Sequence, residues 1–90
     1  MLYMIIEDFH NCDPVPVYRR LRDRGRQMPD GLTYRGSWAT TDLKRCYQLM
    51  ECDQSELLEQ WMSCWSDLMD FQVIPVVTSS DAMELVSLRL

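Results

Sequence analysis

The amino-acid sequence predicts an α+β fold in which one four-stranded antiparallel sheet carries its helices on a single face. Three observations predict it. Residues 3–7 (YMIIE) are echoed 44 positions later by residues 47–51 (YQLME), and each segment precedes a turn signal and a helix-like stretch. Apolar residues between Leu57 and Leu68 recur at helical spacing. Pro75 lies in an apolar, strand-like segment, and proline suits an edge strand because it cannot donate a ladder hydrogen bond.

The chain has 90 residues, which is enough for one hydrophobic core but not for two. We therefore expect residues 1–90 to form a single domain. The apolar content of 47% and the mixed charge are typical of globular proteins and exclude a disordered chain. No apolar run is long enough to cross a membrane, and the N-terminus lacks the pattern of a secretion signal. We therefore expect a cytoplasmic protein with no membrane partner.

The first part of the chain predicts a strand and a helix. Residues 2–9 are rich in β-forming residues and end at a polar cluster that begins with His10. Asp13 and Pro14 indicate a helix start, because aspartate can cap a helix and proline is tolerated in its first turn. Apolar residues then keep helical spacing among several arginines, so a helix is expected over residues 14–27.

The rest of the chain predicts three strands and two helices. Residues 32–39 and 44–52 are strand-like and are separated by a loop of hairpin length. Asp53 and Glu56 resemble a capping box at the start of the helix that continues to Leu68. The remaining elements are an apolar strand over residues 71–77 and a short C-terminal helix capped by Ser79 or Ser80.

This order, βαββαβ with a tail helix, predicts a ferredoxin-like topology. Right-handed crossovers place the first and third strands side by side at the centre and the fourth strand at an edge. The face without helices is expected to carry side chains too apolar to remain in water: Tyr3, Ile5, Phe9, Tyr47 and Leu49. A second copy of the chain is the simplest cover, so we expect a homodimer, or a higher oligomer, with the sheets facing each other.

Motifs along almost the whole chain resemble those of a family of short bacterial proteins that is classed as a domain of unknown function. They are the opening strand, Gly31-Leu32 leading to Gly36-Ser37-Trp38, the strand over 47–51, Trp65-Ser66-Asp67-Leu68 and residues 71–76 (FQVIPV). The chain also resembles members of the dimeric α/β-barrel superfamily. That resemblance implies a dimer, often with a cavity, in a group that includes cofactor-independent monooxygenases, isomerases and heme-handling enzymes. The heme-handling members depend on a cavity histidine, whereas His10 is expected in a loop, so no cofactor is expected.

Glu7 and Glu51 are the candidate catalytic residues. If the repeat is structural, they lie at matching ends of two neighbouring parallel strands, on the same face and with the strands about 4.8 Å apart. Two carboxylates this close would raise the pKa of one of them and make it a candidate general acid or base. The alternative is that each glutamate is solvated, lies near the N-terminus of the following helix, or pairs with Arg35.

Tyr3, Trp38 and Tyr47, together with Tyr34, are candidate ligand-binding residues, because aromatic rings offer a large apolar area with a polar tip. The same residues could instead form the core of a dimer. Alternation does not assign the face of Tyr34 and Trp38, because both sets of side chains on their strand include polar residues. Gln48 argues against placing Tyr47 and Leu49 on the open face, because Gln48 would then lie under the helices and need a hydrogen-bond partner.

Metal, redox and nucleophilic chemistry have little support. The four cysteines form no Cys-x-x-Cys pair, so reduced thiols are expected. His10, Cys12 and Asp13 have ligand-type side chains, but with one histidine in the chain and no second ligand pair we expect a polar loop and no metal. No Ser-His-Asp set and no glycine-rich phosphate loop is present.

The first helix is strongly basic, since it contains Arg19, Arg20, Arg22, Arg24 and Arg26. A nucleic-acid partner is nevertheless not expected, because the net charge of −5 would repel a polyanion. We expect the basic helix to meet acidic residues of the second helix region, within the chain or across an oligomer contact, or to be a solvated face.

Taken together, these patterns predict a homodimeric protein that binds a small apolar or aromatic molecule over the open face of its sheet, without a cofactor. Tyr3, Glu7, Trp38, Tyr47 and Glu51 are expected to line the site. One alternative is an enzyme, either a cofactor-independent monooxygenase or an isomerase, with Glu7 or Glu51 as the base. The other alternative is an assembly module without a cavity.

Overall fold

The structure is a computed structural model that describes all 90 residues. Its strands and helices follow the predicted order, and the α+β class with an antiparallel sheet is confirmed. The elements are β1 (Leu2–Phe9), α1 (Val15–Arg24), β2 (Thr33–Ala39), β3 (Arg45–Glu51), α2 (Glu56–Ser63), β4 (Met69–Val76) and α3 (Ser79–Val86), with 3-10 turns at His10–Cys12 and Ser87–Arg89.

The four strands form one sheet in the order β2-β3-β1-β4, and every neighbouring pair is antiparallel. The strand β4 lies at an edge and pairs only with β1, so the missing N–H of Pro75 is tolerated there. A bulge at Arg35 shifts the register of β2 against β3 between Tyr34 and Gly36. Both helices of the βαββαβ unit pack on one face of this sheet.

The hydrophobic core lies between the sheet and the two helices. Trp61 of α2 and Ile5 of β1 are almost completely buried, and Val17 of α1 joins the same cluster. Fully burying a side chain of this kind contributes about 1.5–3 kcal/mol. The core therefore fixes α1 and α2 against the helix-facing side of β1 and β3.

The prediction of which side chains lie on the face without helices was wrong for β1 and correct for β3. Ile5 and Phe9 are 0% and 5% exposed and face the helices, whereas Tyr47 and Leu49 lie on the open face. The pairing sets this arrangement, because Ile6 is opposite Tyr47 in the register. Both faces of β1 are apolar, so alternation does not distinguish them. The open face consists mainly of apolar side chains: Leu2, Met4, Ile6, Trp38, Tyr47, Leu49, Ile74 and Val76.

Two helices end earlier than the sequence predicts. The helix α1 stops at Arg24 because Gly25 adopts a φ of 68°, and α2 stops at Ser63, before a series of turns that reaches Leu68. The predicted capping box of α2 is also absent, since no side chain caps that helix. Asp13 does accept a hydrogen bond from the backbone N–H of Val15, as its predicted role at the start of α1 requires.

The C-terminal helix α3 packs little against the strands and the other helices. Its first backbone groups are capped by Thr78, which accepts a hydrogen bond from the N–H of Asp81, so the predicted serine cap was wrong. Apolar side chains of α3 and the residues after it remain exposed, with Leu85 at 67% and Leu88 at 100%. This helix leaves the open face of its own sheet uncovered. None of the helices has the length and apolar composition needed to cross a membrane.

Candidate functional site

The carboxyl group of Glu7 is buried on the helix-facing side of β1. The residue is 3% exposed, and its two carboxylate oxygens each accept a hydrogen bond of 3.0 Å from Nε2 of Gln48. Gln48 is itself buried on the neighbouring strand β3, so these two side chains satisfy each other between sheet and helices. The partner that Gln48 requires under the helices is therefore Glu7.

The environment of Glu7 keeps it protonated to a higher pH than an ordinary glutamate. Burial raises its pKa above the usual 4.5, while the hydrogen bonds from Gln48 and Cys46 and the positive charge of Arg26 lower it in part. No salt bridge compensates the charge of Glu7. A carboxyl group in this setting can donate a hydrogen bond, accept one, or transfer a proton.

A partly enclosed cavity of about 70 Å³ lies against Glu7. Its walls are mostly apolar and come from both helices, the strands and the turns that follow α2. The polar groups that reach it include Glu7, Gln48 and Arg26. The apolar lining includes Phe9, Val17, Leu21, Trp61, Trp65 and Met69. The cavity thus combines an apolar wall with a few converging polar groups, which is the usual composition of a small-molecule site.

Arg26 follows α1 and is held in place by its own backbone. Its carbonyl oxygen accepts hydrogen bonds from the indole N–H groups of Trp61 and Trp65, at 3.0 and 3.2 Å. Its neighbours Gly25 and Gln27 have left-handed φ values of 68° and 60°. The chain therefore turns sharply on both sides of Arg26, and the two tryptophans fix its position.

The side chain of Arg26 extends to the polar part of the cavity. Its guanidinium carbon lies 3.8 Å from the centroid of the Tyr34 ring, a cation–π contact. Its Nη1 donates a long hydrogen bond of 3.4 Å to Oε1 of Gln48. Sequence reasoning missed Arg26 as a site residue because it was expected to lie on a basic helix. Gly25 was the signal that the helix ends before it.

Cys46 lies beside Glu7 but is poorly suited to nucleophilic chemistry. Burial, and to a smaller extent the nearby Glu7, raise the pKa of its thiol to about 12. The thiol therefore stays protonated at neutral pH, whereas the thiolate is the reactive form. Cys46 also lines the cavity, so it contributes apolar wall area. All four cysteines of the chain are free.

The predicted pairing of Glu7 with Glu51 was wrong. Because β1 and β3 are antiparallel, Glu7 is opposite Cys46 whereas Glu51 is opposite Leu2 at the other end of the strands. Glu51 also lies on the open face and forms an ion pair with Arg35, whose Nε is 2.8 Å from its carboxylate. The Arg35 guanidinium lowers the pKa of Glu51. Glu51 is thus a surface carboxylate paired with Arg35, which was the alternative interpretation.

The three predicted ligand-binding aromatic residues do not meet in one pocket. Trp38 and Tyr47 are opposite each other on the open face, and Trp38 is 59% exposed. Tyr3 lies on the helix-facing side, opposite Pro75, where it packs against the core. Tyr34 also lies on the helix-facing side, opposite Met50. Of the five residues expected to line the site, only Glu7 reaches the cavity beneath the helices.

The polar loop after β1 is tied to the turns that precede β4. The ring nitrogens of His10 lie 3.1 Å from the carbonyl oxygen of Asp67 and 3.0 Å from Oδ1 of Asp70. The hydrogen bond to Asp70 raises the pKa of His10. His10 therefore connects two parts of the fold, and no three His, Cys, Asp or Glu side chains lie close enough to hold a metal ion.

The basic helix meets an acidic residue within the same chain. Arg20 of α1 donates two hydrogen bonds of 2.7 Å to the carboxylate of Asp67 and one of 3.0 Å to the carbonyl oxygen of Cys64. Its guanidinium also lies near the Trp65 ring, at 5.7 Å from the centroid. This bidentate contact fastens α1 to the turns after α2 and leaves Arg20 no role at the cavity.

The fold and the site define a small α+β domain with a buried carboxyl group in a cavity between its sheet and its helices. Residues 1–89 match the family described as domain of unknown function DUF3303, and the chain belongs to that family. This agrees with the resemblance to a domain-of-unknown-function family found in the sequence motifs. Comparison with curated proteins found no match. Comparison with solved structures likewise found none.

Proposed function

We propose that this protein binds a small molecule in the cavity beside Glu7. One observation carries the proposal: a carboxyl group that is 3% exposed and forms no salt bridge lines an otherwise mostly apolar cavity. Burying an ionisable group without an ion pair costs stability, and apolar residues of similar size would pack there at lower cost. A ligand that exchanges hydrogen bonds with Glu7 would explain why a carboxyl group occupies this buried position.

The dimensions of the cavity limit the ligand. A volume of about 70 Å³ is roughly half that of an engineered apolar cavity known to accept benzene. An aliphatic body of about three carbons fits this volume as it stands, with the polar head of the ligand outside it. An aromatic ring would fit only if the cavity widened. The supported ligand is therefore a small, partly apolar molecule, and the site lies under the helices instead of over the open face of the sheet.

We also propose that the chain forms a homodimer through that open face. Its apolar side chains are the surface that most needs cover, and α3 leaves them unprotected. The ion pairs Arg45–Asp8 and Arg35–Glu51 lie on the same face near opposite ends of β3. An apolar centre between charged pairs at its rim is the composition expected of an interface between two copies.

An enzymatic role at the same site is the second candidate. Its support is the raised pKa of Glu7, which brings this carboxyl closer to the range in which a general acid or base works at neutral pH. In that role Glu7 would move a proton on the bound molecule, in a cofactor-independent oxygenation or isomerisation. Glu51 takes no part, because it is paired with Arg35 on the other face.

Native mass spectrometry of freshly purified protein, followed by an NMR titration with isobutyramide, tests these proposals. We expect a dimer, and we expect isobutyramide to shift the backbone amide signals around Glu7, Cys46 and Gln48. Glu7→Gln should weaken binding of this probe, whereas Glu51→Gln, the same change on the open face, should not. If isobutyramide leaves those signals unmoved and no molecule is retained, the binding proposal is wrong and the assembly module is favoured.

A further inference from the structure

Arg26 is an arginine of the cavity wall that has no acidic partner. The ion pairs of the chain involve Arg20, Arg22, Arg35, Arg45 and His10, and none involves Arg26. Its side chain is half-buried between the Tyr34 ring and Gln48. A guanidinium withdrawn from water without a counter-ion is costly, and a carboxylate is the partner that its planar fork fits best.

Gln48 lies between Arg26 and Glu7 and forms hydrogen bonds with both. Its Oε1 accepts from Arg26, and its Nε2 donates to both oxygens of Glu7. The amide thus lies between the cation and the buried carboxyl, which do not form a salt bridge with each other. The guanidinium remains available for a second anion, while Glu7 can donate a hydrogen bond when it is protonated.

We propose that the ligand of this cavity is a small monocarboxylate with a short aliphatic body, held by its carboxylate on Arg26. This inference rests on the proposed function and names the ligand class for that site. The aliphatic part would lie against the apolar wall formed by residues such as Val17, Leu21 and Trp65. The cavity lining offers one unpaired cation, so a second negative charge on the ligand would be withdrawn from water there without a partner.

Binding of such an anion should be coupled to proton uptake. The positive charge of Arg26 lowers the pKa of Glu7 in the free protein. A carboxylate on Arg26 would neutralise that influence and add a negative charge nearby, so the pKa of Glu7 would rise and the group would take up a proton. Affinity for the anion should therefore fall as pH rises from the pKa of Glu7 in the free protein to its higher pKa in the complex.

Isobutyrate and isobutyramide provide the test, because they share a shape and differ in charge at neutral pH. We expect isobutyrate to bind at least about tenfold more tightly to the native protein, the size of one charge-assisted contact. Arg26→Gln should abolish this preference while isobutyramide still binds, which also shows that the variant is folded. Arg24→Gln is the matched control, since Arg24 is exposed and lies outside the cavity.

The outcomes separate this inference from the proposed function. If isobutyramide binds as tightly as isobutyrate, or if Arg26→Gln keeps the preference, the anion inference is wrong and the cavity remains a site for neutral molecules. If neither probe binds, both proposals fail. Calorimetry in two buffers of different ionisation enthalpy supplies the second readout. Isobutyrate binding without proton uptake at any pH across the range in which Glu7 titrates would contradict the coupling of Arg26 to Glu7.

Discussion

Glu7 and Glu51 end two similar segments of sequence, yet they have opposite electrostatic environments. Glu7 is buried among apolar residues and hydrogen-bonded to a neutral amide, so its pKa is raised above 4.5. Glu51 is accessible to water and paired with Arg35, so its pKa is lowered. The difference comes from which face of the sheet each side chain occupies: Glu7 is opposite Cys46 on the helix-facing side, whereas Glu51 is opposite Leu2 on the open face.

These opposite shifts predict opposite effects on the pH dependence of stability. For Glu7 the folded state binds its proton more tightly than the unfolded state, so stability is lost as pH rises from 4.5 through the raised pKa. Each pH unit between the two pKa values changes the free energy of unfolding by about 1.4 kcal/mol. Glu7→Gln removes this loss, so its stability relative to the native protein should increase as pH rises from 4.5 through the raised pKa of Glu7.

Urea unfolding of the native protein, Glu7→Gln and Glu51→Gln at several pH values measures the effect. For Glu51 the sign is reversed: its ion pair stabilises the fold above pH 4.5, and that contribution is lost as pH falls through the lowered pKa. The Glu51→Gln variant should therefore lose stability relative to the native protein as pH rises, by a small amount because the pair is on the surface. Parallel curves for both variants would contradict the assigned environments.

The sequence singled out Glu7 as a candidate, although for a reason that was wrong. The repeat suggested a pair with Glu51, whereas burial beside Gln48 is what distinguishes Glu7. Gln48 was the better signal, because a polar residue on the helix-facing side of an apolar strand needs a partner. Arg26 could not be identified in the same way, since its position depends on two indole N–H groups far along the chain.

At the level of elements, the strands were predicted well because their apolar composition and their turn residues agree. The observed strands begin and end within about two residues of the predicted ones, Leu2–Phe9 and Arg45–Glu51 included. Alternation does not predict which side chains of β1 face the helices, since Leu2, Met4 and Ile6 are as apolar as the residues between them. Only the pairing with β3 decides which set is buried.

The helix α3 is the element with the least packing. It has eight residues, and it makes no extensive contact with any element except the 3-10 turn that follows it. A helix of this length is marginal in water without tertiary packing. Its backbone hydrogen bonds should therefore open readily, even though Thr78 caps its first turn.

Hydrogen exchange checks this prediction residue by residue. We expect the amides of residues 83–86 to exchange close to the rate of an unstructured peptide, and those of Ile5 and Met50 to exchange only on global unfolding. The two core residues serve as internal controls in the same sample. Slow exchange in α3 would mean that another surface covers this helix.

On the scale of the whole molecule, the sheet separates two surfaces of different composition. The helix-facing side carries the core and the cavity with Glu7 and Arg26. The open face carries exposed apolar side chains, among them Trp38, and the ion pairs near its ends. That such a face exists could be predicted from the βαββαβ order alone, because helices that lie on one side leave the other uncovered. That the cavity lies on the helix side could not, because it depends on packing.

Leu49 is the residue with which the proposed dimer can be tested. It lies on the open face at the middle of β3, opposite Met4 of one neighbouring strand and Gly36 of the other. Leu49→Glu would place a charge at the centre of an interface between two copies, where it would be desolvated without a partner. We therefore expect the native protein to sediment as a dimer and this variant to sediment as a monomer.

The variant should remain folded, because Leu49 lies outside the hydrophobic core, and its thermal unfolding and isobutyramide binding verify this point. Gln60→Glu introduces the same negative charge at an exposed position of α2, on the other side of the sheet, and should stay dimeric. If Leu49→Glu also sediments as a dimer, the copies associate through a different surface. A native protein that is monomeric at high concentration would leave the apolar face as a surface for some other partner.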